Sequence, residues 1–118
     1  MAERGPPRSA ARELADREAV FKALAHASRR HVLLVLHFRG GELTAGEIAA
    51  RFSCSWPTTT RHLGVLVRAG LVRVEARGRE RVYRLDRERL DAVAGTFLAW
   101  FRAPPPPTGD APTGDAGS

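Results

Sequence analysis

The side chains able to recognise another molecule are concentrated in one stretch, Phe52 to Gly70, FSCSWPTTTRHLGVLVRAG. Thr58 and Thr60 bring hydroxyls, Arg61 and Arg68 guanidiniums, and His62 an imidazole. On a helical wheel Thr58, Arg61, Val65 and Arg68 share the outward face, with Thr60 and His62 on its flanks. Donors of these kinds suit the base edges and phosphates at the mouth of a major groove. Ser55 is expected to cap the helix, because its hydroxyl can accept from a first-turn amide. Trp56 and Pro57 follow in the first turn, where the N–H that proline lacks would be unpaired anyway. Leu63, Leu66, Val67 and Gly70 recur at helical spacing and predict an inward apolar face, and Gly70 supplies a stop. A second group of basic residues follows in Arg77-Gly78-Arg79-Glu80-Arg81. Like charges clustered on a tight turn repel unless a partner neutralises them, so Arg77, Gly78, Arg79 and Arg81 are expected to meet phosphate or a minor groove. The plain alternatives are a surface helix and a solvated charged turn, so the reading depends on what positions these two segments.

The expected elements supply that positioning. Ala11 to about Ala27 is predicted helical, with Leu14, Phe21, Leu24 and Ala25 on one stripe. Ser28 is the expected N-cap of a second helix, in which Val32, Leu33, Val35, Leu36 and Phe38 are apolar nearly all round. That helix should be central to the core, with Gly40 and Gly41 ending it. Glu42 and Leu43 form a short link with some strand character. Thr44-Ala45-Gly46-Glu47 reads as a capping box opening a short helix that presents Ile48, Ala49 and Phe52 to the core. Ser53 and Cys54 turn the chain into the polar helix, which completes a helix-turn-helix. Leu71–Ala76 and Arg81–Leu85 alternate as strands around a turn at Gly78, so a hairpin follows at once. Asp86 can cap a last helix reaching about Arg102. Its stripe of Leu90, Val93, Ala94, Phe97, Leu98 and Phe101, with Trp100 beside it, exceeds what one terminal helix needs. With Leu14 and Phe21 these residues are the expected dimer interface. The fold class is therefore mainly α with a β-hairpin wing, a winged helix-turn-helix in the order α-α-(β)-α-α-β-β-α. Residues 1–10 should be a flexible N-terminus, 11–102 the folded domain, and 103–118 a disordered Pro- and Gly-rich tail.

Composition narrows the partner. The 118 residues carry 19 basic and 13 acidic side chains, a formal net charge of +6, and Lys22 is the single lysine. That balance favours a nucleic acid or an anionic surface. The longest wholly aliphatic run, Val32 to Leu36, is too short to span a membrane, and MAERGPPRS has no apolar segment of a signal peptide. With Cys54 alone no internal disulfide can form, which fits a cytoplasmic setting. No Ser/His/acid order, phosphate-binding Gly loop or metal cluster is present, so neither an enzyme nor a cofactor or metal is expected. A rival reading is a winged helix that binds another protein through its apolar last helix, with weak and salt-insensitive DNA binding.

At this point the chain resembles a family. ALAHASRRHVLLVL (Ala23 to Leu36) is similar to the ALADPTRRxILxLL signature of ArsR/SmtB-type bacterial transcriptional repressors. LTAGEIAARF, SWPTTTRHLGVLVRAGLV and RGRERVYRL are similar to their third helix, recognition segment and wing, and the likeness extends from about Ala19 to Phe101. The resemblance implies a homodimeric, sequence-specific repressor that occludes an imperfect inverted repeat of double-stranded DNA with two recognition helices and two wings. Its base-contacting positions fall on Trp56, Pro57, Thr60 and Arg61, with His62 adjacent. Trp56 stands where these proteins often carry Gln, whose bidentate bond to adenine Trp cannot make. It is left to stack on a sugar or a thymine methyl, or to turn into the core. Positions that hold thiolates in metal-sensing relatives are Thr44 and Gly46 here, and the last helix has Asp86 and Asp91 but no His. These departures leave metal sensing unexpected, and the AWF ending of the last helix (Ala99 to Phe101) is closer to the metal-independent branch. Cys54, just before a helix N-terminus, offers an alternative as a redox-sensing thiol, although no second cysteine could resolve its oxidised form.

Overall fold

The structure is a computed structural model and describes residues 8–105. The expectation of a loose segment before residue 8 and of a disordered tail beyond residue 105 lies outside the described residues. Helix α1 (Arg8–Leu24) is followed by α2 (Ala27–Phe38), strand β1 (Glu42–Thr44), α3 (Ala45–Ala49) and α4 (Trp56–Arg68). Strands β2 (Val72–Arg77) and β3 (Glu80–Leu85) then form a hairpin. The last helix comprises α5 (Arg87–Leu90), a π-helical segment (Asp91–Gly95) and α6 (Thr96–Ala99). This is a winged helix-turn-helix, with the short β1 as a third strand.

Helix α1 begins before Ala11 and stops before the expected Ala27, and the reason for the stop lies in α2. Arg29 Nε donates to the Ala23 carbonyl at 2.9 Å, and its NH2 group donates to Lys22 at 3.1 Å. Arg30 NH1 donates to Leu24 at 2.8 Å. Two guanidiniums thus satisfy carbonyls that a helix leaves unpaired at its C-terminus. The N-cap of α2 is His26, not Ser28: His26 Nδ1 accepts from the Ser28 amide at 3.3 Å. Burial also departs from the periodicity. Among the described side chains of α1, Val20 and Ala23 are fully buried and Leu14 is exposed, as is Ala25 just beyond the helix. In α2 the core takes Val32, Leu33 and Leu36, and Phe38 is 76% exposed. An apolar circumference therefore does not make α2 buried all round; one face packs and the other, with Leu34, meets solvent.

The Thr44–Glu47 capping box is reciprocal. Thr44 Oγ1 accepts from the Glu47 amide at 3.1 Å, and Glu47 Oε1 accepts from the Thr44 amide at 2.8 Å. With so short a helix behind it, only Ile48 is buried, flanked by Ala45 and Phe52, and Ala49 is exposed instead of packed. The sheet has the order β1-β3-β2 and is antiparallel, with Leu43 opposite Tyr83 and Arg77 opposite Glu80. At the hairpin tip Gly78 has φ +61°, a conformation other residues adopt only at a cost. Leu36, Ile48, Leu63, Leu66 and Leu71 are the large, fully buried side chains that join α2, α3, α4 and the start of β2.

The last helix starts where Asp86 accepts from the Arg89 amide at 3.0 Å and pairs with Arg73 at 3.0 Å. Its expected apolar stripe divides. Ala94 is buried, and Leu90 and Val93 are half-buried against the core, so these three stabilise their own fold rather than offering a free face. Phe97, Leu98, Trp100 and Phe101 remain exposed. Phe97 makes edge contacts with Phe21 of α1 and with Phe101, each at 5.2 Å between ring centroids.

Candidate nucleic-acid interface

Helix α4 begins as its sequence demands. Ser55 Oγ accepts from the Thr58 amide at 3.3 Å and donates to Thr58 Oγ1 at 3.0 Å. Thr59, which the wheel did not single out, is buried; its hydroxyl donates to the Ser55 carbonyl at 3.1 Å and so enters the interior satisfied. The packed face is wider than the periodicity implied. Thr59, Leu63 and Leu66 are buried, and Val65 and Val67 lie half-buried against the core. Val65 therefore does not belong to the outward face. That face is left to Thr60, Arg61 and Arg68, all exposed.

Trp56 is 40% exposed and does not enter the core. It stands at the rim of a cleft of about 440 Å³. Thr60 of α4, the first residues of α3, and Arg79, Arg81 and Tyr83 of the wing line the same cleft. The structure thus brings the exposed first turns of α4 and part of the wing to one side of the molecule. Ser55 and Pro57 are exposed beside them, while Thr58 is half-buried with its hydroxyl engaged by Ser55.

The three arginines of the hairpin do not converge. Strand alternation sends Arg77 to the opposite face from Arg81. There Arg77 bonds Glu42 at 3.0 Å and Glu75 at 2.9 Å, and Arg84 joins Glu42 at 3.1 Å. Hydrogen bonds from Arg77 and then Arg84 hold the Glu42 carboxyl below its ordinary pKa, and the two glutamates hold Arg77 above its own. Arg77 is thereby internally neutralised. No local spacing predicts this, because Glu42 and Arg77 are 35 residues apart and meet only through the sheet. Arg79 and Arg81 remain exposed at the cleft.

His62 is not a free outward group either. It is half-buried, its ring lies 4.5 Å from that of His26, and its Nδ1 is 3.3 Å from an Arg29 guanidinium nitrogen. Burial first, then the charges of His26, Arg29 and Arg61, lower its pKa. Cys54 is exposed in the turn before α4. Among the described residues no three His, Cys, Asp or Glu side chains gather into a metal-sized cluster, and Thr44, at one of the thiolate positions, uses its hydroxyl in the capping box. No helix among the described residues is long and apolar enough to cross a membrane.

Comparison with known proteins agrees with this architecture. Residues 24–75 match the helix-turn-helix domain family. The transcriptional repressor SdpR of Bacillus subtilis is 37% identical over 67 residues, which are 57% of this chain and 72% of SdpR. An ArsR-like transcriptional regulator from a Rhodococcus species has a solved structure that superposes with a TM-score of 0.62 at 30% identity, over 75% of this chain and 86% of that one. A homodimeric winged helix-turn-helix DNA-binding domain from Mycobacterium bovis superposes with a TM-score of 0.66 at 27% identity, over 86% of this chain and 92% of that one. With its capped recognition helix, its paired wing and this extent of shared sequence, the chain belongs to the ArsR family of winged helix-turn-helix transcriptional regulators.

Proposed function

We propose that the chain is a homodimeric, cytoplasmic transcriptional repressor that occludes an inverted-repeat operator in double-stranded DNA, without enzymatic activity and without a metal. The observation that carries the DNA reading is the shared cleft. Trp56 and Thr60 on α4 face the same opening as Arg79 and Arg81 on the wing. A helix inserted in a major groove would bring Thr60 and Arg61 to base edges, and the wing arginines to the adjoining backbone. Trp56, with an indole face half open to solvent, suits stacking on a sugar or a thymine methyl. Pro57 and Ser55 set the entry of the helix, Thr58 contacts phosphate only if its bond to Ser55 is exchanged, and Gly78 lets the tip turn sharply. Arg77 supports the hairpin through its glutamates rather than clamping phosphate.

The dimer reading rests on Leu14, Phe21, Phe97, Leu98 and Phe101, exposed or half-buried along α1 and the last helix, together with the homodimeric state of the Mycobacterium bovis relative. Leu90, Val93 and Ala94 support that face from beneath. Repression follows the function of SdpR.

Fluorescence anisotropy with the DNA upstream of the gene against a scrambled duplex of equal length, over a salt series, tests the proposal. Tight preference for the upstream duplex with steep salt dependence is expected. Equal and weak, salt-insensitive binding to both would favour a protein-interaction module.

A further inference from the structure

Where α4 passes the corner between α1 and α2, two imidazoles and the Arg29 guanidinium meet. Arg29 is anchored by the carbonyls of Ala23 and Lys22, so its third contact, NH1 to His62 Nδ1 at 3.3 Å, is made from a fixed position. A guanidinium only donates, so Nδ1 of His62 must accept, and its ring proton sits on Nε2. His26 Nδ1 likewise accepts, from the Ser28 amide that opens α2. Each ring therefore makes its contact only when neutral. The rings are themselves 4.5 Å apart, so they cannot both charge cheaply. The groups whose charges act on His62 are His26 and Arg29 from the corner and Arg61 from its own helix; all are basic.

We infer that His62, held against Arg29 and the ring of His26, is a proton-operated joint: neutral, it seats the recognition helix against the α1–α2 corner, and charged, it releases it. Protonating His62 replaces an acceptor with a donor facing Arg29. The sign follows from linkage. Burial and the three basic neighbours keep His62 below the ordinary 6.5, so the unfolded chain binds its proton more readily. The joint's contribution to stability is complete above that ordinary value and is lost as pH falls below it.

The first test needs no DNA. NMR titration of the full chain should show the His62 ring changing state below about pH 6.5. A His62 midpoint at or above that value would overturn the joint. Thermal melting supplies an independent arm with His62→Gln, which keeps a neutral acceptor facing Arg29. The wild-type melting temperature should drop between pH 7.5 and about pH 5.5, and the variant should lose distinctly less; equal losses would overturn the inference. A final arm measures the ratio of affinities for the upstream and scrambled duplexes, since charged imidazoles attract any duplex. Wild type should lose about tenfold in this ratio over the same interval and the variant little. A ratio near unity at every pH, with the joint titrating, would overturn the DNA reading and leave the joint standing.

Discussion

Arg61 and Arg79 carry similar charges but are expected to fail differently when removed. Arg61 is exposed on the outward face of α4, where a guanidinium can fork onto a guanine. Arg61→Ala should weaken binding to the preferred duplex by about 1–3 kcal/mol and relax its sequence preference. Anisotropy with the upstream and scrambled duplexes measures both, and unchanged affinity would mean that another face of the helix is presented. Arg79 belongs to the wing, proposed to meet the backbone rather than base edges. Arg79→Ala should weaken binding to all duplexes alike and lower the salt slope by about one. Arg77 is the control for this distinction. Its charge is already balanced by Glu42 and Glu75, so Arg77→Ala should leave the salt slope nearly unchanged.

The recognition helix depends on its first turn as an element. Ser55 is the only residue before Trp56 whose side chain caps it, and Thr58 and Thr59 both bond back to Ser55. Ser55→Ala should therefore cost about 1 kcal/mol in urea-induced unfolding, and fraying should reach Trp56 first. Tryptophan emission moving to the red before global unfolding would register that fraying. A fully cooperative transition with an undiminished midpoint would show that packing of Leu63 and Leu66 alone forms the helix. The wing is steadied differently, by the alternate-face ion pairs among Glu42, Glu75, Arg77 and Arg84. These pairs are solvent-exposed, so they orient the hairpin more than they stabilise it.

At the scale of the molecule, the net charge of +6 and the exposed aromatic face are the features on which the proposed DNA-bound dimer rests. Leu98 and Phe101 are 50% and 72% exposed, next to the exposed Phe97 and Trp100, and such clustered apolar side chains are the kind that interfaces cover. Leu98→Glu/Phe101→Glu should convert a dimer to a monomer near 12.9 kDa in sedimentation, with helix content retained because neither side chain is in the core. Binding to an inverted repeat should fall more steeply than binding to a half-site, since only the former uses two linked recognition helices. An unaltered mass would place the interface elsewhere.

Local sequence was sufficient for whatever is decided within a few residues. The cap at Ser55, the Thr44–Glu47 box, the Asp86 cap, the turn at Gly78 and the order of helices and strands all follow from short-range hydrogen bonding and periodicity. So does the recognition helix as a candidate reader, because its polar types and spacing lie within one helix. Helical periodicity could not say how wide a packed face would be, and so it misplaced Val65, Ala49 and Phe38, whose burial depends on which neighbours arrive. Nor could it end α1, which stops because Arg29 and Arg30 reach back to its carbonyls. The fates of Arg77 and His62 were set at still longer range. Glu42 reaches Arg77 through strand pairing, and Arg29 and His26 reach His62 across helix packing. Charge and hydrogen-bonding capacity are written in residue types, but which of them is already satisfied, and which is left for a partner, is settled only when distant segments meet.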